Sequence, residues 1–198
     1  MSRREQVKAR NRQRLIEAAA RAFAAQGLKG ANINLISLEA GLGKGTVYNY
    51  FASKEELFGA VLAWAGEEME KALAEVEAGP GPVKAQLKAL ITALLSFYGP
   101  RPNLAKLLIR NAAADRVEHQ RALLAVFQPF LSRLQQVLAA GESRGELRMG
   151  LDPFLSALTL WGMVNHQAAF HWLVSTRPLE PDGLAEVVLT YFLAGVKR

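Results

Sequence analysis

Thr46, Tyr48, Asn49 and Tyr50 place three hydroxyls and one amide within five positions. Such groups at this spacing suit hydrogen bonding to a nucleic acid. Thr46 can donate to a phosphate or touch a thymine methyl, and Asn49 can bond a base edge, adenine best of all. Tyr48 and Tyr50 can set a hydroxyl on phosphate while their rings pack. Lys54 follows at the start of a helix, where its charge and the helix's positive end both favour a phosphate. Nothing comparable supports catalysis. The chain has no cysteine, so thiol nucleophiles, disulfides and cysteine-held metals are excluded. Gly41-Leu42-Gly43-Lys44-Gly45 has the wrong spacing, and no preceding strand, for a nucleotide-binding loop. No triad and no pair of carboxylates in an apolar setting is evident. A non-enzymatic protein without cofactor or metal is expected.

The charge distribution points the same way. Net charge is +6, and residues 1–54 carry ten Lys/Arg against three Asp/Glu. Residues 55–83 reverse this, with one against seven. A basic block that runs into a folded motif is the footprint of a polyanion-binding end. A basic protein-binding or RNA-binding module remains the alternative at this point, as does a helical protein-interaction adaptor. No apolar run reaches the roughly 20 residues that span a bilayer, and the basic N-terminus lacks a signal peptide's apolar stretch. A cytoplasmic protein with no membrane partner is expected.

The elements that must position these side chains are all helical. Leu15, Ile16, Ala19, Ala22 and Phe23 recur at helical spacing and predict a helix over 8–26, ended by Gly27, with residues 1–10 as a mobile basic arm. Asn32 caps a short helix to Ala40. Gly41 and Gly43 make a tight turn, and a second short helix spans 44–50, with Val47 and Phe51 pointing into a three-helix core. Helix, glycine turn and helix form a helix-turn-helix pattern. Ser53 and Glu56 then form a capping box that opens a long helix, ended by Gly79-Pro80-Gly81-Pro82. Further helices are expected over 83–98, 103–114, 118–141 with a kink at Pro129, 153–175 and 182–195. The expectation is an all-α chain of about nine helices.

The residues Ala40-Gly41, Lys44-Gly45-Thr46-Val47-Tyr48, Tyr50-Phe51 and Ser53-Lys54-Glu55-Glu56-Leu57 resemble the TetR family of transcriptional regulators. The resemblance is detailed over residues 10–60 and rests elsewhere on length and helical pattern. It implies that Thr46, Tyr48, Asn49, Tyr50 and Lys54 face DNA and that Gly45 permits close approach to the backbone. It implies a DNA-binding domain over 1–54 and a ligand-binding and dimerisation domain over 55–198, with the last two helices pairing with their copies. Asn32 and Gly43 stand where the family often has hydroxyl residues. Leu35 and Leu38 stand where it is usually more polar, and one of them is expected to pack under the long helix that opens at Ser53.

In the second domain the helix over 153–175 is nearly apolar all round, which demands burial on every side. A homodimer interface through Leu158, Trp161, Phe170, Val188 and Phe192 meets that demand; the central helix of a monomeric bundle also would. Apolar stripes with excess arginine (Arg110, Arg116, Arg121, Arg133) suit an effector with a greasy chain and an anionic head, such as an acyl-CoA, although solvated faces are the commoner use of helix arginines. Leu104, Leu108, Phe127, Phe130, Trp161 and His166 form the candidate ligand set. His166 and His171, five apart, lie on different helix faces, which disfavours a shared metal. The sequence therefore reads as a dimeric repressor, released from a palindromic double-stranded DNA operator by a small hydrophobic effector.

Overall fold

The computed structural model describes residues 2–76, 81–110, 117–148, 150, 152–175 and 179–196. Its elements are α1 (Arg3–Gly30), α2 (Ile33–Glu39), a 3-10 turn η1 (Thr46–Asn49), α3 (Lys54–Ala74), α4 (Val83–Tyr98), α5 (Pro102–Arg110), α6 (Val117–Ser143), α7 (Pro153–Leu173) and α8 (Pro181–Val196). No β-strand forms among the described residues, and the chain is all-α as expected. It divides into two compact units, Met1–Ala65 with Asn103–Leu123 and Gly66–Pro102 with Leu124–Arg198. Residues of α3 and α6 belong to both.

In the first unit, α1 starts earlier than composition suggested. Ser2 Oγ accepts from the Glu5 amide at 3.2 Å, and the Glu5 carboxylate accepts from the Ser2 amide at 2.6 Å. This capping box satisfies two of the donors that every helix start leaves unpaired. The expected mobile arm is therefore helix from Arg3 onward. At the other end Gly27 interrupts the helix with φ 71 and ψ 170, a region open essentially to glycine alone. One more turn follows to Gly30. The apolar stripe of α1 is buried through Leu15, Ile16, Ala19 and Phe23. Phe23 meets Phe58 of α3 edge to face, centroids 5.4 Å apart, a geometry worth about 1 kcal/mol beyond the area buried. Ile36, Val47, Phe51, Leu57 and Val61 are also buried in this unit, as are Leu104, Leu107 and Leu108 of α5.

The second unit is built on α4, which buries Leu87, Ile91, Leu94, Leu95 and Tyr98. Thr92 of α4 donates to Asp182 of α8 at 3.1 Å, and Lys84 pairs with Glu186. The start of α4 is capped from a distance: the Val83 amide donates to Glu146 Oε2 at 2.7 Å. A Cβ at Gly141 would stand 2.2 Å from Val83 Cγ2, so only glycine lets α6 approach α4 this closely. α6 continues through Pro129 to Ser143. Residues 111–116, which hold the end of the helix expected over 103–114, lie outside the described residues, as do Gly79 and Pro80 of the Gly79–Pro82 break. No helix among the described residues is long and apolar enough to cross a membrane.

Candidate nucleic-acid interface

The segment after α2 is held at several points. Gly41, at φ 69, ends α2; its amide donates to Leu38 O at 2.9 Å and that of Leu42 to Ser37 O at 2.9 Å. Gly45, at φ 80, opens η1. A left-handed backbone at both positions favours glycine over any residue with a Cβ. Nothing lies within 4 Å of a Cβ built on Gly45, so its requirement is conformational. η1 is a single 3-10 turn of four residues. The helix expected over 44–50 is shorter than the sequence suggested, because two glycines and a tight turn leave too few residues for an α-helical hydrogen-bond ladder.

Such a short turn cannot hold its own shape, and its neighbours supply the hold. Ser37 Oγ accepts from the Val47 amide at 3.2 Å. Ser37 is the one buried polar or charged residue among those described. Tyr50 Oη accepts from Asn11 Nδ2 at 3.3 Å. The Arg12 guanidinium stands over the Phe51 ring at 5.2 Å, a cation–π contact. Val47 and Phe51 are buried as expected. Ser37, Asn11 and Arg12 escaped the sequence reading because their partners lie 10 to 39 positions away.

These anchors leave a defined set of side chains outside. Tyr48 is 61 % exposed, Asn49 is exposed, and Thr46 and Tyr50 are half-buried. Lys54 behaves differently. Its ammonium donates to Lys29 O at 3.0 Å and Ala31 O at 3.3 Å, closing the last turn of α1, where a cation is favoured by the helix dipole. Arg3, Arg4, Lys8, Arg10, Arg12, Arg14, Lys29 and Lys44 are all exposed, and none is in an ion pair among the described residues. Arg21 is paired, with Glu39 at 2.6 Å. Leu35 and Leu38 are 55 % and 54 % exposed. Neither packs away as one of them was expected to, because the buried side of α2 is taken by Ile36 and Ser37.

The ligand candidates fall in both units. Leu104 and Leu108 are buried in the first unit, and Phe127 and Phe130 are buried in the second. The Trp161 and Phe127 rings meet with centroids 5.0 Å apart. His166 is exposed in an open groove of about 350 Å³, lined by Gly162, Met163 and Gln167 of α7 and Val187 and Tyr191 of α8. Of the four arginines, Arg121 is exposed. Arg133 donates to Leu73 O, at the end of α3, so it closes a helix. Arg116 and the Arg110 side chain lie outside the described residues. No cluster of three or more His, Cys, Asp or Glu among the described residues could hold a metal.

The interface candidates are also sorted. Val188 and Phe192 are buried within the chain, on the side of α8 that faces its own unit. Leu158 and Trp161 are half-buried. Phe170 is 57 % exposed, as are Phe154, Leu155, Val187 and Tyr191 to similar or greater extents. α7 is thus buried along Ala157, Leu160, Val164 and Ala168 and bare on another apolar side.

Known proteins share this architecture. Residues 15–61 match the family described as bacterial regulatory proteins, tetR family, and residues 80–196 match the tetracyclin repressor-like C-terminal domain. The HTH-type transcriptional repressor SCO4008 of Streptomyces coelicolor is 32 % identical to the chain, over 88 % of it and 89 % of the repressor. The fatty acid metabolism regulator protein of Bacillus subtilis is 24 % identical over 92 % and 93 %. The structure of the B. subtilis transcriptional regulator FadR in complex with stearoyl-CoA superposes with a TM-score of 0.80 at 22 % identity, covering 92 % of this chain and 98 % of that one.

Proposed function

We propose, from the premise that this chain belongs to the TetR family of bacterial regulatory proteins, that it is a homodimeric repressor displaced from a palindromic operator by a hydrophobic effector. The observation that carries the reading is the pinned turn η1. It holds Tyr48 and Asn49 outside, in a unit whose α1 adds unpaired basic side chains. Asn49 reads a base edge, adenine first. Thr46, Tyr48 and Tyr50 contact phosphate or thymine methyl, and Gly45 sets the turn that aims them. Lys54 reaches phosphate with the donor its two carbonyl bonds leave over. The DNA-binding part is residues 1–54, and residues 55–198 bind the effector and the second copy.

The bare apolar side of α7 and α8 supports the dimer. Symmetric pairing would cover Phe154, Leu155, Phe170, Val187 and Tyr191, and His166 belongs with that face. Two heads then reach successive major grooves about 34–36 Å apart. The effector's apolar body lies against Phe127, Phe130 and Trp161. An acyl-CoA is the class we favour, supported by the B. subtilis relative whose name is that of a fatty acid metabolism regulator. Its differential affinity for two states of the dimer sets how far operator binding falls.

Selection of bound duplexes from a random pool, repeated with a panel of acyl-CoAs and unrelated hydrophobic ligands, tests the proposal. The expected result is one enriched palindrome, lost on addition of an acyl-CoA. Only salt-sensitive background, with no enriched sequence, would withdraw the operator reading.

A further inference from the structure

Trp161 Nε1 is withdrawn from solvent and has no hydrogen-bond partner, the one such side-chain nitrogen or oxygen among the described residues. An indole N–H can only donate. Left unpaired it carries the full desolvation cost of a donor without a partner, and native proteins keep few such groups without a use for them. The Phe127 ring lies against the indole at 5.0 Å. One turn further along α7, Asn165 Oδ1 is 3.5 Å from Tyr98 Oη, the outer limit of a hydrogen bond. Tyr98 is fully buried, and that burial raises its hydroxyl's pKa, so it stays protonated and remains a donor.

We infer that α4, α6 and α7 gather here a recognition point for an uncharged carbonyl oxygen on an otherwise apolar ligand, with Trp161 Nε1 as its donor. The inference rests on the effector reading above and narrows it. A carboxylate would need a cation, since a buried anion without one is far costlier than a buried amide or ester. The four arginines described in this unit are engaged elsewhere: Arg101 with Glu68 at 3.0 Å and over the Phe97 ring, Arg133 with Leu73 O, Arg144 with Glu146 at 2.7 Å and Arg148 with Gly195 O at 3.1 Å. An acyl thioester supplies the required group, an uncharged carbonyl at the head of a long apolar chain. A free fatty acid supplies the wrong one.

The test compares stearoyl-CoA with its S-octadecyl thioether, in which a methylene replaces the carbonyl and nothing else changes. Titration calorimetry on the full-length protein should show the thioester binding about tenfold tighter, the size of one hydrogen bond to a donor otherwise left unpaired. Trp161→Phe keeps a ring against Phe127. It should bind the two ligands alike, whatever affinity the smaller ring costs both, with its helicity unchanged by circular dichroism. Equal affinities in the wild-type protein would overturn the inference and leave an acyl-CoA effector standing. A preference that survives in Trp161→Phe would move the donor to another residue and overturn it as well. If neither ligand binds, the acyl-CoA reading falls and takes this inference with it.

Discussion

One hydroxyl fixes the turn η1 from inside. Ser37 Oγ accepts the Val47 amide in a place without solvent, so Ser37→Ala leaves that N–H with no partner. The expected loss is about 1–3 kcal/mol, visible in urea unfolding. A variant as stable as wild type would mean that water replaces the hydroxyl. The outward residues make the opposite prediction. Tyr48→Ala with Asn49→Ala removes exposed groups that carry no packing, so helicity and dimer should persist while footprinting of the selected operator disappears. An unchanged footprint would take η1 out of the reading role. Lys54 closes α1, and one variant tests whether it also meets DNA. Lys54→Met should cost roughly 1 kcal/mol, since it frees the last carbonyls of α1. If its third donor also meets a phosphate, the slope of log K against log salt should fall by about 1. Stability loss with an unchanged slope would leave Lys54 as a helix cap alone.

Among the elements, those closed by local chemistry were legible from the residues. Asn32 accepts from the Asn34 and Leu35 amides, Asp152 from those of Phe154 and Leu155, and Ser53 from that of Glu56. Each is a contact over two or three positions, and its pattern stands in the sequence. The same pattern at Ser2 and Glu5 was hidden by the surrounding charge, which reads as a solvated arm until the cap is noticed. Long-range chemistry was not legible: nothing local announces that Lys54 closes α1 or that Glu146 caps α4. The faces of α7 and α8 were ambiguous for a different reason. A helix apolar on all sides carries no periodic signal to say which side its own unit covers. The structure resolves this, and a pair of variants exploits it. Val187→Glu with Tyr191→Glu should yield folded monomers by sedimentation velocity. Val188→Glu with Phe192→Glu places charge in a packed interior and should prevent folding. Intact dimers from the first pair would move the subunit contact elsewhere.

Across the whole molecule, charge is divided by task. In the first unit the basic side chains of α1 mostly stand free, ready to displace counterions from DNA. In the second unit acidic groups brace helices. The Lys71 ammonium, then Arg101, hold the Glu68 carboxyl below its ordinary pKa. The Val83 amide, then Arg144, do so for Glu146, and Lys84, then Lys88, for Glu186. A carboxyl with a lowered folded pKa contributes stability that is complete above its unfolded value, about 4.3 for glutamate, and is lost as pH falls through the folded value. Thermal melts should therefore show a falling Tm below about pH 4.5. Glu146→Gln with Glu186→Gln should start from a lower Tm at neutral pH and lose less on acidification. Parallel pH profiles for the two proteins would assign the acid loss to other groups.

Along residues 46–51 the exposed Tyr48 and Asn49 and the half-buried Thr46 stand among Val47, Tyr50 and Phe51, which hold the turn in place through burial or a bond to Asn11. On the proposed reading, the residues that meet DNA and those that hold the turn are thus separate in six positions but for Tyr50, which does both. A library that randomises Thr46, Tyr48 and Asn49 and leaves the other three alone would sample new operator preferences on an unaltered scaffold. Regulators that ignore one another's operators, yet answer to the same effector, could then be made from this one chain by changing three codons.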